Sequence, residues 1–396
     1  MQEAYIYDSV RTPFGKLGGA LAGVRPDDMA AHVLKTLVER YPNLDIEKID
    51  EVSFGNANGA GEENRNVGRM ALLLAGLPVS IPANTINRLC GSSLDAAISA
   101  SRQINTNEAD LMLIGGTESM SRAPWVTLKT ERPYPVGDMV MASTTLGWRL
   151  VNKNMPKEWT VSLGEATEQL VDKHKVSRER QDEFAARSHQ LAAKAWADGH
   201  YDDLVAPLAD TDLQQDQTIR ADSTAETLAG LRTVFRKENG TVTAGNASPM
   251  NDGASAAILG SAKAADLLGA QPLARIAGRG AAANEPQFFG EAPVESANIA
   301  LKRAGISWED VGAVELNEAF AAQSLVCLDA WGVDHSIVNA WGGAIALGHP
   351  LGASGTRVLG TLAARLKAEN QRWGVASLCI GVGQGLAVVL ENEDAR

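Results

Sequence analysis

Two thiols and one imidazole stand in glycine-marked settings that suit covalent acyl chemistry. Cys90 lies in Asn87-Arg88-Leu89-Cys90-Gly91-Ser92-Ser93, where a buried segment turns into a helix. A thiol there would face unsatisfied backbone N–H groups and the positive end of the helix dipole, both favouring the thiolate. The glycine after it lets a substrate approach closely. The same residue also fits a buried structural cysteine. His349 closes Gly342-Gly343-Ala344-Ile345-Ala346-Leu347-Gly348-His349-Pro350, a loop whose three glycines are entropically costly and so point to a demanded geometry. Beside a cysteine it would accept the thiol proton; otherwise it is a histidine bonded to backbone in a turn. Two thiols and a neutral base suffice for carbon–carbon bond chemistry on thioesters without a cofactor.

Cys379 follows the apolar run Val375 to Leu378 and enters Gly381-Val382-Gly383-Gln384-Gly385. That loop is not G-x-G-x-x-G and no clear helix follows, which speaks against a dinucleotide site. A glycine turn after a cysteine instead offers backbone N–H groups as an oxyanion hole. Asn317 ends another strand in Leu316-Asn317-Glu318-Ala319-Phe320, where it would hold a water or carbonyl, or cap a helix. His32, His174, His189, His200 and His335 lie in helical or polar contexts and are expected to face solvent.

The elements that must position these groups alternate between strand and helix. Tyr5 to Tyr7, Glu51 to Phe54 and Leu111 to Gly116 read as strands, and Pro26 to Glu39, Asn66 to Leu74 and Ser92 to Ile104 as helices. From about Met120 to Thr241 the texture changes to proline-interrupted segments, a charged helix from Arg178 to Asp198 and a polar surface stretch from Asp210 to Thr227. Strands resume at Ala313 to Leu316, Ser336 to Val338 and Val375 to Leu378. Leu44 to Phe54 echoes Gly305 to Leu316, each a helical turn feeding a strand. The expectation is a duplicated α/β architecture with one reactive cysteine per half.

The 396 residues fit two or three compact units, with 45% apolar and 21% charged residues. A net charge of −12 argues against general nucleic-acid or membrane-surface binding, either of which needs a basic face. Three cysteines make no disulfide framework, and neither C-x-x-C nor H-E-x-x-H is present, so no metal site is expected. A strand-like start and no apolar run near the roughly 20 residues of a membrane span point to a soluble, cytoplasmic protein.

Taken in order, these blocks resemble the thiolase family along essentially the whole chain. Arg11-Thr12-Pro13-Phe14-Gly15, Gly115 to Ser121, Thr241 to Ser248 and Asn317 to Ala321 look like further family motifs. The resemblance implies a five-layered α-β-α-β-α fold with an N-terminal half over 1–119 and 242–270, an inserted covering domain over 120–241 and a C-terminal half over 271–396. It implies that Cys90 accepts the acyl group and that His349 activates it. Cys379 would be the acid/base at carbon. Asn317 would hold a water in one oxyanion hole, and the N–H groups of Cys90 and Gly381 would form the other. Coenzyme A would be a substrate, with no tightly bound cofactor, and Ser248 would lie near its pantetheine. Arg220, ranked ahead of Arg232, Arg236 and Lys237, would meet its phosphates. Homodimers or homotetramers are expected.

The chain departs from the family pattern at Trp341, at Pro249-Met250 and at Leu163, all expected near the substrate; the Trp341 indole would narrow the pocket beside His349. Gly61 to Val67, Ser121 to Pro124 and Thr144-Thr145-Leu146-Gly147-Trp148-Arg149 are similar to degradative members, including 3-oxoadipyl-CoA thiolases. A biosynthetic acetoacetyl-CoA thiolase and a non-catalytic acyl-CoA-binding homologue are the alternatives. A ketosynthase-type condensing enzyme is disfavoured by Asn317 and Cys379, where that type carries two histidines or another base.

Overall fold

The computed structural model describes residues 2–395. The N-terminal half runs β1 (Tyr5–Arg11), α1 (Pro26–Glu39), β2 (Glu51–Gly55), α2 (Val67–Leu74), β3 (Ala83–Ile86), α3 (Ser92–Asn105), β4 (Leu111–Ser119) and then, after a long excursion carrying α4 (Leu163–His174) and α5 (Arg178–Ala197), β5 (Asn251–Gly260). The C-terminal half repeats the pattern: β6 (Ala274–Ala283), α6 (Ala292–Ala304), β7 (Val311–Leu316), α7 (Ala321–Trp331), α8 (Leu351–Ala368), β8 (Trp373–Ile380) and β9 (Gln384–Glu391). The strands join in the order β3-β2-β4-β5-β1-β6-β9-β8-β7, with the two-residue Gly15–Lys16 pairing beside β5. The two half-sheets touch through Tyr5 opposite Arg275 and Ile6 opposite Ala274.

Period-two alternation makes the five layers. In β4, Met112 and Ile114 face inward onto α3 and α8, which lie together between the half-sheets, while Leu111 and Leu113 face outward onto α1 and α2. In β9, Leu386, Val388 and Leu390 point to the same central layer, and Ala387 and Val389 to α6 and α7. Strands covered on both faces read as unbroken apolar runs rather than alternating ones, as Val375 to Leu378 does. The central helices pack very closely: a Cβ on Gly355 of α8 would sit 2.2 Å from the backbone nitrogen of Leu94 in α3.

The internal echo has a structural counterpart. The short turns Ile46–Lys48 and Trp308–Asp310 feed β2 and β7, which hold equivalent places in their half-sheets. β2 pairs in parallel with β4 as β7 does with β8, Gly55 facing Gly116 and Leu316 facing Ser377. The strand expected at Ser336 to Val338 is instead a 3-10 turn over His335–Ile337, and only Val338 bridges to Val314. It occupies the place of β3.

In the insertion, Ser162 caps α4 by accepting from the Glu165 N–H and Ser177 caps α5 by accepting from the Arg180 N–H. The stretch from Asp210 to Thr227 is not all surface loop. Asp216 is buried, ion-paired to Arg11 at 2.5 Å, and Leu213 joins the core. Polar composition concealed it because the buried charge is neutralised by an arginine more than 200 residues away.

Candidate active site

Cys90 sits at the end of a tight, polar-laced turn. Leu89 adopts a left-handed φ of +47°, held by its N–H donating to Asn87 Oδ1 at 3.0 Å, while Ser92 Oγ accepts from the Arg88 N–H and donates to the Leu89 carbonyl. Such strain in a non-glycine residue persists only where surrounding structure imposes it. Here it sets Cys90 just ahead of α3, the residue 8% exposed.

His349 holds the equivalent position ahead of α8. Gly348 needs a φ of +110°, and a Cβ there would strike the Asn251 side chain at 2.6 Å. That side chain accepts from the His349 N–H at 2.9 Å. Nδ1 of the ring meets Ser354 Oγ at 2.6 Å, leaving Nε2 for the cavity. The Asn317 amide is 3.4 Å from both ring nitrogens, aligned on neither, and its oxygen accepts from Arg357 at 3.0 Å. Arg357 and Arg365 both face the buried Glu315 carboxylate, at 3.5 and 2.8 Å. Asn317 is fully buried behind the histidine and caps no helix, since α7 begins four residues later from Phe320.

Cys90 lies where two cavities meet. One, of about 210 Å3, is lined by Cys90, His349, Cys379, Gly381, Ser248 and Phe320 among others. The other, of about 330 Å3, runs from Cys90 and Gly381 past Glu118 to the segment Thr144 to Arg149. Leu163 and Leu351 border both. Pro249 and Met250 line the first, so two of the three sequence departures lie at the cavities.

The third departure does not. Trp341 is buried in a separate cluster, stacked at 4.4 Å on His200 and edge-on to Tyr201, whose hydroxyl donates to the Trp341 carbonyl. The expected narrowing of the pocket by this indole is therefore corrected: the side chain anchors the start of the histidine loop to the insertion. Arg220 also stands outside both cavities, its side chain exposed and its N–H donating to His189 Nδ1. Arg236 is committed to Glu165 and Asp172. His189 is buried rather than solvent-facing, and burial holds it down to about 4.

Burial also reverses the expectation for Cys90. Loss of water pushes its thiol up to about 11, outweighing the Gly381 and Cys90 N–H groups that favour the thiolate. Burial raises Cys379 well above an ordinary thiol, and the nearby Cys90 adds to it. Burial lowers His349 to about 3, with the Arg357 charge acting in the same direction. Each of these shifts favours the uncharged form, thiol for Cys90 and Cys379 and imidazole for His349. Burial raises Glu118 to about 7 although its carboxylate accepts from the N–H groups of Ala57, Asn58 and Gly352. Glu118 was legible only as part of a motif, and Ser354, Asn251 and Arg357 carried no sequence signal beyond their neighbourhood.

Two thiols, an imidazole and backbone N–H groups around one apolar cavity suit an enzyme that transfers acyl groups through a cysteine thioester. Residues 4–263 match the model for "Thiolase, N-terminal domain" and residues 270–392 that for "Thiolase, C-terminal domain". The chain belongs to the thiolase family. It is 48% identical over 402 residues to the 3-oxoadipyl-CoA/3-oxo-5,6-dehydrosuberyl-CoA thiolase of Escherichia coli (strain K12), covering 99% of this chain and 100% of that one. It is 46% identical over 401 residues to the beta-ketoadipyl-CoA thiolase of Pseudomonas putida, with the same coverage. Human mitochondrial 3-ketoacyl-CoA thiolase superposes with a TM-score of 0.92 at 36% identity, covering 99% of both chains. Bacillus anthracis acetyl-CoA acetyltransferase superposes with a TM-score of 0.90 at 37% identity and the same coverage.

Proposed function

We propose that this thiolase cleaves 3-oxoadipyl-CoA with coenzyme A to give acetyl-CoA and succinyl-CoA, through a succinyl thioester on Cys90. As the Cys90 sulfur attacks the C3 ketone, its proton passes to His349 and the oxygen becomes an alkoxide. The C2–C3 bond then breaks, its electron pair leaving as the acetyl-CoA enolate. The Cys379 thiol protonates that carbon, and its thiolate takes the proton of incoming coenzyme A. The coenzyme A sulfur attacks the acyl-enzyme and Cys90 leaves as a thiolate, which regains its proton. A cysteine suits the carbon acid because its ordinary value of roughly 8.5 lies nearer neutrality than a lysine's. Asn317 holds a water in one oxyanion hole, and the Cys90 and Gly381 N–H groups form the other, which receives the thioester oxygen. Ser248 borders the pantetheine of coenzyme A.

The observation that carries this reading is that Cys90, His349, Cys379 and Gly381, drawn from three separate segments, border one cavity. The names of the curated relatives support the choice of substrate. The unpaired outer edge of β3 and exposed apolar side chains on the insertion, such as Tyr134, Val136 and Val140, support a homo-oligomer. Three free cysteines fit a reducing cytoplasm, and no helix among the described residues is long and apolar enough to cross a membrane.

Thiolysis rates on acetoacetyl-CoA, a medium-chain 3-oxoacyl-CoA and 3-oxoadipyl-CoA, each with free coenzyme A, test the proposal. A kcat/KM at least about tenfold higher for 3-oxoadipyl-CoA is expected. A preference for acetoacetyl-CoA would assign a short-chain role instead.

A further inference from the structure

The larger cavity holds a single cationic side chain. Among the described residues bordering either cavity at Cys90, only Arg149 carries a fixed positive charge. It is half-buried and, among the described residues, pairs with no carboxylate and makes one side-chain hydrogen bond, from Nη2 to Asn58 Oδ1 at 3.0 Å. Asn58 is itself fixed, its amide donating to Thr144 Oγ1 and its N–H to Glu118. An arginine placed by a neutral residue at the wall of an otherwise apolar cavity has its remaining donors free. Arg88, two residues before the Cys90 thiol, is by contrast paired with Asp95, and Arg25 and Arg122 pair with Glu62.

We infer that Arg149 receives the terminal carboxylate of a dicarboxylic acyl chain bound to Cys90. The assignment rests on the thiolase reading above and deepens it to a residue. In the succinyl thioester only two methylenes separate the carbonyl carbon from the carboxylate, so the cation must share the cavity of the nucleophile, as Arg149 does. Ala57, Leu89 and Leu351 offer apolar wall to the methylenes. A planar guanidinium can meet both carboxylate oxygens at once, and a partly desolvated pair is stronger than one in open water. The nearby Glu118 carboxyl does not compete for the cation, because its oxygens are engaged by three backbone N–H groups. A neutral chain of the same length would leave the guanidinium facing apolar carbon, which gives the cavity a reason to reject it.

The test compares 3-oxoadipyl-CoA with 3-oxohexanoyl-CoA, which has the same six-carbon chain without the carboxylate. In Arg149→Met the ratio of the two kcat/KM values should fall on the order of a hundredfold, and Arg149→Lys should restore part of it. Turnover of the neutral substrate reports that the variant is folded. Acylation of Cys90 by succinyl-CoA and by butanoyl-CoA, read by intact mass, gives the same ratio independently of Cys379. If wild type favours the dicarboxylate and Arg149→Met keeps that preference, the residue assignment falls while the substrate reading stands. If wild type shows no preference, both fall. An equal loss on the two substrates with a raised KM for free coenzyme A would place Arg149 at a phosphate and overturn the inference.

Discussion

Cys90 should behave as an unreactive thiol in the free enzyme, despite its place ahead of a helix. With burial pushing it to about 11, the thiolate fraction at pH 7 is about 10⁻⁴, against about 3% for an ordinary cysteine near 8.5. That is about 300-fold fewer thiolates. A Brønsted coefficient of about 0.4 to 0.5 means the more basic thiolate recovers about tenfold, leaving alkylation about thirtyfold slower than for a free thiol. Iodoacetamide labelling between pH 6 and 9.5, with Cys90 followed by peptide mass, should rise about tenfold per pH unit without a plateau. A plateau anywhere between pH 6 and 8 would mean that a thiolate–imidazolium pair already exists at rest. It would also show that the burial of Cys90 and His349 does not dominate their protonation. If the slope holds, the thiol ionises only as substrate arrives, with His349 accepting the proton in the same event.

Cys379→Ala should still form an acyl-enzyme on Cys90 from an acyl-CoA donor, while exchange of the acetyl-CoA methyl protons drops by at least about two decades. Unchanged exchange, followed by proton NMR in deuterated buffer, would remove Cys379 from the carbon acid role. Glu118 contributes to stability in the direction set by its raised value. Folding favours its protonated form, so the contribution is present below about 4.5 and is lost as pH rises through about 7. The shift corresponds to roughly 3 kcal/mol between pH 4.5 and 8. Denaturant unfolding of Glu118→Gln should therefore lack that much of the wild-type pH slope, whatever its absolute stability. An identical slope in the two proteins would refute the assignment.

The sequence carried the layered fold well, because strands buried on both faces and amphipathic helices leave strong local signals. Pro26 to Glu39 was bounded by a proline at its first turn and is a helix over those residues. Ser336 to Val338 looked like a strand from its branched residues, but the chain supplies one bridging residue there and Arg187 caps the Val338 carbonyl instead. Of the candidate site, the residues in glycine-rich turns were legible because a glycine where φ is positive, as at Gly348, marks a backbone held for a purpose. Trp341 misled because sequence adjacency to the histidine loop says nothing about which way a side chain points; eight residues before His349 the indole belongs to another cluster. The protonation of Cys90 was misjudged for a related reason. A helix terminus is visible in sequence, whereas the water excluded by Leu89, Leu163 and Leu351 is a property of the assembled cavity.

The register of the two halves shows what duplication did to the chemistry. Asn56 follows β2 as Asn317 follows β7, and Cys90 precedes α3 as His349 precedes α8. Glu118 lies two residues beyond Gly116 as Cys379 lies two beyond Ser377, and each faces a glycine, Gly253 or Gly385, on the next strand. The same three stations thus hold amide, thiol and carboxyl in one half, and amide, imidazole and thiol in the other. A pair of N-terminal halves would hold two thiols ahead of the central helices and no imidazole, and a pair of C-terminal halves two imidazoles there and no thiol. Held in one chain, the two copies differ at matching stations, so the thiol ahead of one central helix meets an imidazole ahead of the other rather than a second copy of itself.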